Sequence, residues 1–200
     1  MKEIAYCHNT KEMLEIIKYC KHGHIPPEDT IHVLRNPLIL QKQLVYNDRF
    51  KYDLENSDIF ILEISSKMTY EYKNRSCHHS IYTENKRFRI SDHIKNQVIV
   101  REQTFDEIYD DILKIKHELN NKPMIIVTHL VTINDGGRYD LACILEEICN
   151  KESIIIINPM KQIISKGYTA EQVLEQDGNH YNKLGHMVIK EIYDEYINTL

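Results

Sequence analysis

The sequence predicts a three-layer α/β fold, with a five-stranded parallel sheet in the flavodoxin-like order 2-1-3-4-5. Two observations carry that expectation. Five short β-rich runs alternate with helix-patterned segments, an arrangement that right-handed crossovers turn into a parallel sheet with helices on both faces. The run at 58–65, "DIFILEIS", is nearly continuous in apolar residues, as a strand buried on both faces is. At 200 residues the chain reads as one domain, 1–200, long enough to bury a core without staples.

The elements follow in order. "KEIAY" (2–6) is the first strand, and the helix-patterned "KEMLEIIKYC" comes straight after it. Asn9 is placed to cap that helix, with Glu12 three residues on to complete a capping box. "TIHVLR" (30–35) is the second strand, and "NPLILQKQLVYN" a helix with Pro37 in its first turn. The third strand is 58–65. Residues 67–103 are polar, rich in Tyr and His, and too long for a plain connection. They read as an insertion over one edge of the sheet, carrying a short hairpin or helices, with too few apolar runs for a core of its own. "TFDEIYDDILKIKHELN" (104–120) is an amphipathic helix with a Thr104/Glu107 capping box and a stripe of Phe105, Ile108, Ile112, Ile115 and Leu119. "PMIIVTHL" (123–130) is the fourth strand, 139–150 a helix, and "SIIIIN" (153–158) the fifth strand. "TAEQVLEQ" is a short helix, and Leu184 to Tyr196 the last one.

Composition excludes several partners. With 42% hydrophobic and 28% charged residues the chain is an ordinary soluble type. A net charge of -5 offers nothing to a phosphate backbone, so no nucleic acid is expected. The longest apolar run, at 154–157, is far too short for a membrane span. The first twenty residues are charged throughout, unlike a signal peptide. Five scattered Cys fit a reducing compartment better than a disulfide framework, so the expected location is cytoplasmic. No Gly-rich phosphate loop follows the first strand, which counts against nucleotide binding.

Ligands of such sheets bind beyond the carboxyl ends of the strands. The stretch that stands out there is "DGNHYNKLGH" (177–186). An Asp and a His three apart on one turn let a single loop supply both an imidazole and the carboxylate that fixes its tautomer. The plainer reading is an Asx turn, with Asn182 capping the last helix and His180 incidental. This block, with "IIIINPMKQII" before it and "HYNKLGHMVIKEIY" after it, resembles the final block of the SGNH/GDSL hydrolases. The resemblance implies that His180 is the general base and Asp177 its orienting partner.

Other blocks depart from that family. Its Gly-Asp-Ser-Leu after the first strand is replaced by "YCHNT", so Cys7, Asn9 or Thr10 stands in for the Ser, or no residue does. Cys7 is the candidate nucleophile, and a Cys is similarly placed in the polysaccharide-acetyltransferase branch. A thiol beside a helix N-terminus would have its pKa lowered. "ISSKM" replaces the third block, leaving Ser65 or Ser66 in place of its Asn, and Asn36 follows the second strand. His8, Asn9, Asn36, Ser65, Ser66 and His129 are the candidate oxyanion and substrate contacts. His129 is either a pocket residue or a hydrogen-bonded structural His. Glu63, unusual on a buried strand, pairs with Lys67 or a helix residue, or faces the site. Tyr70, Tyr72 and Tyr82 form a lid or pack the insertion onto the body. "CHH" (77–79) and "CKHGH" (20–24) lack the paired spacing of a zinc site.

The function expected from these residues is an esterase or acyltransferase acting on an O-acyl, chiefly acetyl, ester of a carbohydrate. No cofactor is required, and acetyl-CoA would serve as donor in a transferase. The alternative is a catalytically inactive module of the same fold that binds a carbohydrate or protein partner.

Overall fold

The computed structural model describes residues 7–22, 48–77, 92–132 and 136–200. The expected first and second strands, the 36–47 helix, Asn36 and Tyr82 lie outside the described residues. In chain order the elements are α1 (Thr10–His22), α2 (Asp48–Asn56), β1 (Phe60–Ile64), β2 (Met68–Tyr72), β3 (Arg75–Cys77), α3 (Asp92–Lys95), β4 (Ile99–Glu102) and α4 (Phe105–Glu118). They continue with β5 (Met124–Thr128), α5 (Gly136–Glu152), β6 (Ile155–Ile157), α6 (Pro159–Ser165), α7 (Ala170–Val173) and α8 (Lys183–Ile197). They form two compact units, one within Met1–Ser57 and Ser66–Asn121, the other Asp58–Ser65 with Lys122–Leu200.

The second unit holds a parallel sheet in the order β1-β5-β6. Among the described residues it has three strands, those expected as third, fourth and fifth, and they are neighbours as expected. Phe60 to Ile64 pair in register with Met124 to Thr128, and Ile125 to Val127 with Ile155 to Ile157. Every residue of β5 is buried. Side chains alternate across a strand, so Ile125 and Val127 share one face. There they pack with Ile157, Met160 and Ile163, with Val173 of α7, and with Val188, Ile189 and Ile192 of α8. Helix α5 packs on β5 and β6 and buries Leu141, Ala142, Leu145, Ile148 and Cys149.

Helix α6 was not expected from the sequence. Its start signal is nonetheless present: the Asn158 side chain accepts the Lys161 N–H at 3.2 Å, and Pro159 occupies the first turn.

In the first unit α1 packs on α4, α2 and β3. Helix α4 carries the expected capping box, with Thr104 accepting the Glu107 N–H at 3.3 Å and the Glu107 carboxylate accepting the Thr104 N–H at 2.9 Å. Ile108, Ile112, Ile115 and Leu119 of its stripe are buried, while Phe105 is half-buried. The 67–103 stretch contains an antiparallel sheet, β3-β2-β4. Its β2–β3 hairpin turns through Lys73 and Asn74 at φ 49° and 61°, the left-handed pair that a two-residue hairpin needs. Arg101 of β4 donates to both carboxylate oxygens of Glu107 at 2.7 and 2.8 Å, and this holds the Glu107 carboxyl down at about 2. Tyr72 packs on Cys77 with Tyr70 and Val98 beside it, all within the 67–103 stretch.

The start of α1 departs by one residue from the expected box. Asn9 Oδ1 accepts the Glu12 N–H at 2.8 Å, but the Glu12 carboxylate takes the N–H of His8, at 2.8 Å, instead of that of Asn9. Glu12 is almost fully buried, and burial pushes its carboxyl up to about 8. Burial also raises Glu15 and Asp111, the latter bonded to Thr10 and Gln103.

A carboxyl whose pKa is raised by folding binds its proton more tightly in the native state. Stability is then full below the ordinary value near 4.5 and declines as pH rises toward 8. Glu12→Gln should therefore unfold at a higher temperature than the parent at pH 8, by several degrees at about 2–4 °C per kcal/mol. The two melting curves should converge near pH 4. Equal melting temperatures at pH 8 would contradict a neutral Glu12.

Candidate active site

The loop that carries Asp177 and His180 is closed at its base. Leu174 and Tyr181 form an antiparallel bridge, the Glu175 N–H donates to His180 O at 2.8 Å, and the Asn182 N–H donates to Val173 O at 3.0 Å. Inside it Gly178 adopts φ 65°, a conformation costly for residues with a Cβ. Asn182 then caps α8, accepting the Gly185 N–H at 3.0 Å. Its amide donates back to Gln172 O at 2.9 Å and Leu174 O at 3.1 Å. Gly185 is required by contact: a Cβ there would lie 2.1 Å from Val173 O.

Within this frame one carboxylate does two jobs. Asp177 Oδ1 accepts the N–H groups of Asn179 at 2.9 Å and His180 at 3.1 Å, which makes the Asx turn. Asp177 Oδ2 lies 2.5 Å from His180 Nδ1. A carboxylate only accepts, so the network assigns the proton to Nδ1 and leaves Nε2 as an acceptor. Asn179 Nδ2 also donates to Asp177 O at 2.8 Å, and Asn179 Oδ1 accepts from Arg138 at 3.0 Å. The Asn179 N–H first, and then His180, hold the Asp177 carboxyl below the usual carboxylate range. The imidazole is 76% exposed. The turn and the dyad are alternatives in the sequence but coexist in the fold.

A second imidazole–carboxylate pair lies at the carboxyl ends of the adjacent strands β1 and β5. His129 Nδ1 is 2.7 Å from Glu63 Oε1. Glu63 is in register with Val127, two residues before His129, so alternation puts both on one face. Lys67, one partner considered for Glu63, instead meets Glu102 at 2.9 Å. Burial, and after it Glu63 charge, push the Tyr193 hydroxyl up to about 12. Burial, the Tyr193 hydroxyl and Glu63 raise that of Tyr181.

The remaining candidates are placed as follows. Cys7 is half-buried, two residues before the cap of α1. His8 is half-buried, and its carbonyl accepts the Ser66 N–H at 2.8 Å. The Ser66 hydroxyl accepts the Met68 N–H at 3.0 Å. Asn9 is buried with both ends engaged, Oδ1 in the cap and Nδ2 on Met68 O at 3.1 Å. Ser65 is half-buried after β1. Cys7, His8, Asn9 and Ser66 belong to the first unit; Ser65, His129, Asp177 and His180 belong to the second. Cys20, Cys77 and Cys149 are buried, and burial pushes their thiols up to about 11, 12 and 12. Cys143 is exposed. His22 pairs with Glu118 at 3.1 Å. Among the described residues no three His, Cys, Asp or Glu side chains cluster as metal ligands, and no helix is long and apolar enough to cross a membrane.

No protein-family model matches the chain, and no curated protein matches it. Among solved structures, an acetylxylan esterase from Geobacillus stearothermophilus is similar at 12% identity and a TM-score of 0.40. The similarity covers 73% of this chain and 63% of the esterase, so the chain spans less than two thirds of that protein.

Gly185→Ala should destabilise the second unit, by about 1–3 kcal/mol or more for an overpacked contact against backbone. It should also loosen the Asp177–His180 loop. Thermal unfolding together with amide exchange of residues 174–186 checks this, and an unchanged melting temperature would contradict the contact.

Proposed function

We propose that this protein is an SGNH-like esterase, cleaving O-acyl and chiefly acetyl esters of a carbohydrate, with His180 as general base and Asp177 as its orienting partner. The observation that carries the reading is the 2.5 Å contact between Asp177 Oδ2 and His180 Nδ1, on a loop that leaves the imidazole exposed. An Nδ1–H held by an ionised carboxylate keeps Nε2 free to take a proton, and steadies the imidazolium once it forms. For the attacking group the sequence nominates Cys7, which stands where the family's first block carries its Ser; that assignment rests on sequence position alone. Attack by a thiolate on the acyl carbon expels the alcohol and leaves a thioester, which water then hydrolyses to the acid. A hydroxyl acceptor in place of water would make the protein an acyltransferase, with a donor such as acetyl-CoA. The reading takes 1–200 as one catalytic domain with 67–103 as its insertion.

The second reading is a binding module of the same fold without catalysis. It is favoured by Asn9 and Ser66, whose polar atoms are taken by hydrogen bonds to His8 and Met68 or within the α1 cap.

Hydrolysis of p-nitrophenyl acetate separates the two. His180→Ala should lower kcat/KM by about 10²–10⁴, the usual contribution of a general base, and Asp177→Ala should follow it closely. Iodoacetamide near neutral pH should label Cys7 ahead of Cys20, Cys77, Cys143 and Cys149, abolish turnover, and act more slowly on Cys7 in His180→Ala. Absent hydrolysis with no preference for Cys7 would favour the binding module.

A further inference from the structure

We propose that Glu63 and His129 form a hydroxyl-binding subsite that recognises a polyhydroxy compound of the sugar class. The proposal rests on the esterase reading only in naming that compound as the alcohol half of the ester.

Stability does not account for this pair. Glu63 continues the row of Ile59 and Ile61, which pack against the apolar cluster beneath α8. Its side chain is 53% exposed and that of His129 23%. An ion pair so placed contributes at most about 1 kcal/mol, whereas an apolar pair would extend the core. What the pair does have is position and rigidity. Both residues stand at the carboxyl ends of adjacent parallel strands, where ligands of open α/β sheets bind. The Glu63 backbone is fixed by the ladder, and His129 follows directly on the last paired residue, Thr128, so the recognition group is carried by the rigid part of the sheet.

The chemistry selects the ligand. The Glu63 carboxylate commits His129 Nδ1 to carrying a proton at 2.7 Å, so neutral His129 offers Nε2 as a hydrogen-bond acceptor. The partly exposed carboxylate is a second acceptor beside it. Two adjacent acceptors match two hydroxyl donors on neighbouring carbons, the pattern of a sugar diol. Both would be left unsatisfied by a simple alkyl group, and buried unpaired acceptors are costly. The rings of Tyr181 and Tyr193 lie near enough for their hydroxyls to feel the Glu63 charge.

The test uses the full chain and two probes, methyl glucoside and its fully O-methylated derivative, which has no hydroxyl donors. In histidine-labelled protein, methyl glucoside should shift the His129 ring nitrogen resonances saturably, and the methylated probe should not. Glu63→Gln satisfies Nδ1 in either tautomer, so it should weaken glucoside binding about tenfold or more, whereas His180→Ala should leave it unchanged. In turnover, Glu63→Gln should raise KM for 6-O-acetylglucose about tenfold with kcat within about twofold. If Glu63→Gln fails to fold, His129→Asn replaces it, with methyl glucoside binding read by calorimetry and an equal weakening expected. Hydrolysis of p-nitrophenyl acetate without any His129 response to methyl glucoside overturns the subsite and spares the esterase. A hydroxyl-dependent response without hydrolysis sustains the subsite and sinks the esterase. A fall in kcat at unchanged KM would put His129 in the chemical step and overturn a binding role.

Discussion

Strand β5 is the constraint on which the second unit depends. All five of its residues are buried, so its backbone donors and acceptors must be met by neighbouring strands and its side chains by packed helices. Once Ile125 and Val127 are turned toward α6 and α8, the period of two leaves His129 no choice of face. The parallel register with β1 then brings Glu63 to it. A slip of β1 by one residue would send Glu63 to the face opposite His129. The pairing of a histidine and a glutamate 66 residues apart is thus a by-product of hydrophobic burial.

The Asp177–His180 dyad is built on a different logic. No strand holds it; a short loop does, pinned at its base by Asn182 and by the close approach of Gly185 to Val173 O. Three hydrogen bonds accepted by the Asp177 carboxylate offset the exposure that would otherwise let it swing. The imidazole is open to solvent while its partner is fixed, a combination suited to a proton acceptor that must meet a ligand. In the Glu63–His129 pair the imidazole is the more enclosed of the two, 23% exposed, as a recognition element benefits from being.

Features governed by local rules were legible in the sequence. The Thr104/Glu107 box, the α4 stripe and the Asp-x-x-His spacing depend on residues close in the chain, and the order of the three strands follows from the short crossover rule for alternating strands and helices. Helix α6 was missed although Asn158-Pro159 is a good start signal, because the apolar run before it reads as a strand that simply ends. The destination of Glu63 was left open because it depends on strand register, which no local window contains. The Asn9 cap was legible, but its second bond, to Met68 O, and the bond of the Ser66 N–H to His8 O were not, because those partners meet only through tertiary folding.

The absence of tryptophan among thirteen tyrosines gives the loop and strand geometry an optical consequence. Tyrosine emission is unmasked in this protein. Tyr181 adjoins His180 in the chain, and the Glu63 charge adds to the burial that raises its phenol. Because burial holds the phenols of Tyr181 and Tyr193 protonated well into the alkaline range, their phenolate absorbance should emerge only as the surrounding packing is lost. The site thus carries its own spectroscopic gauge of whether it is assembled.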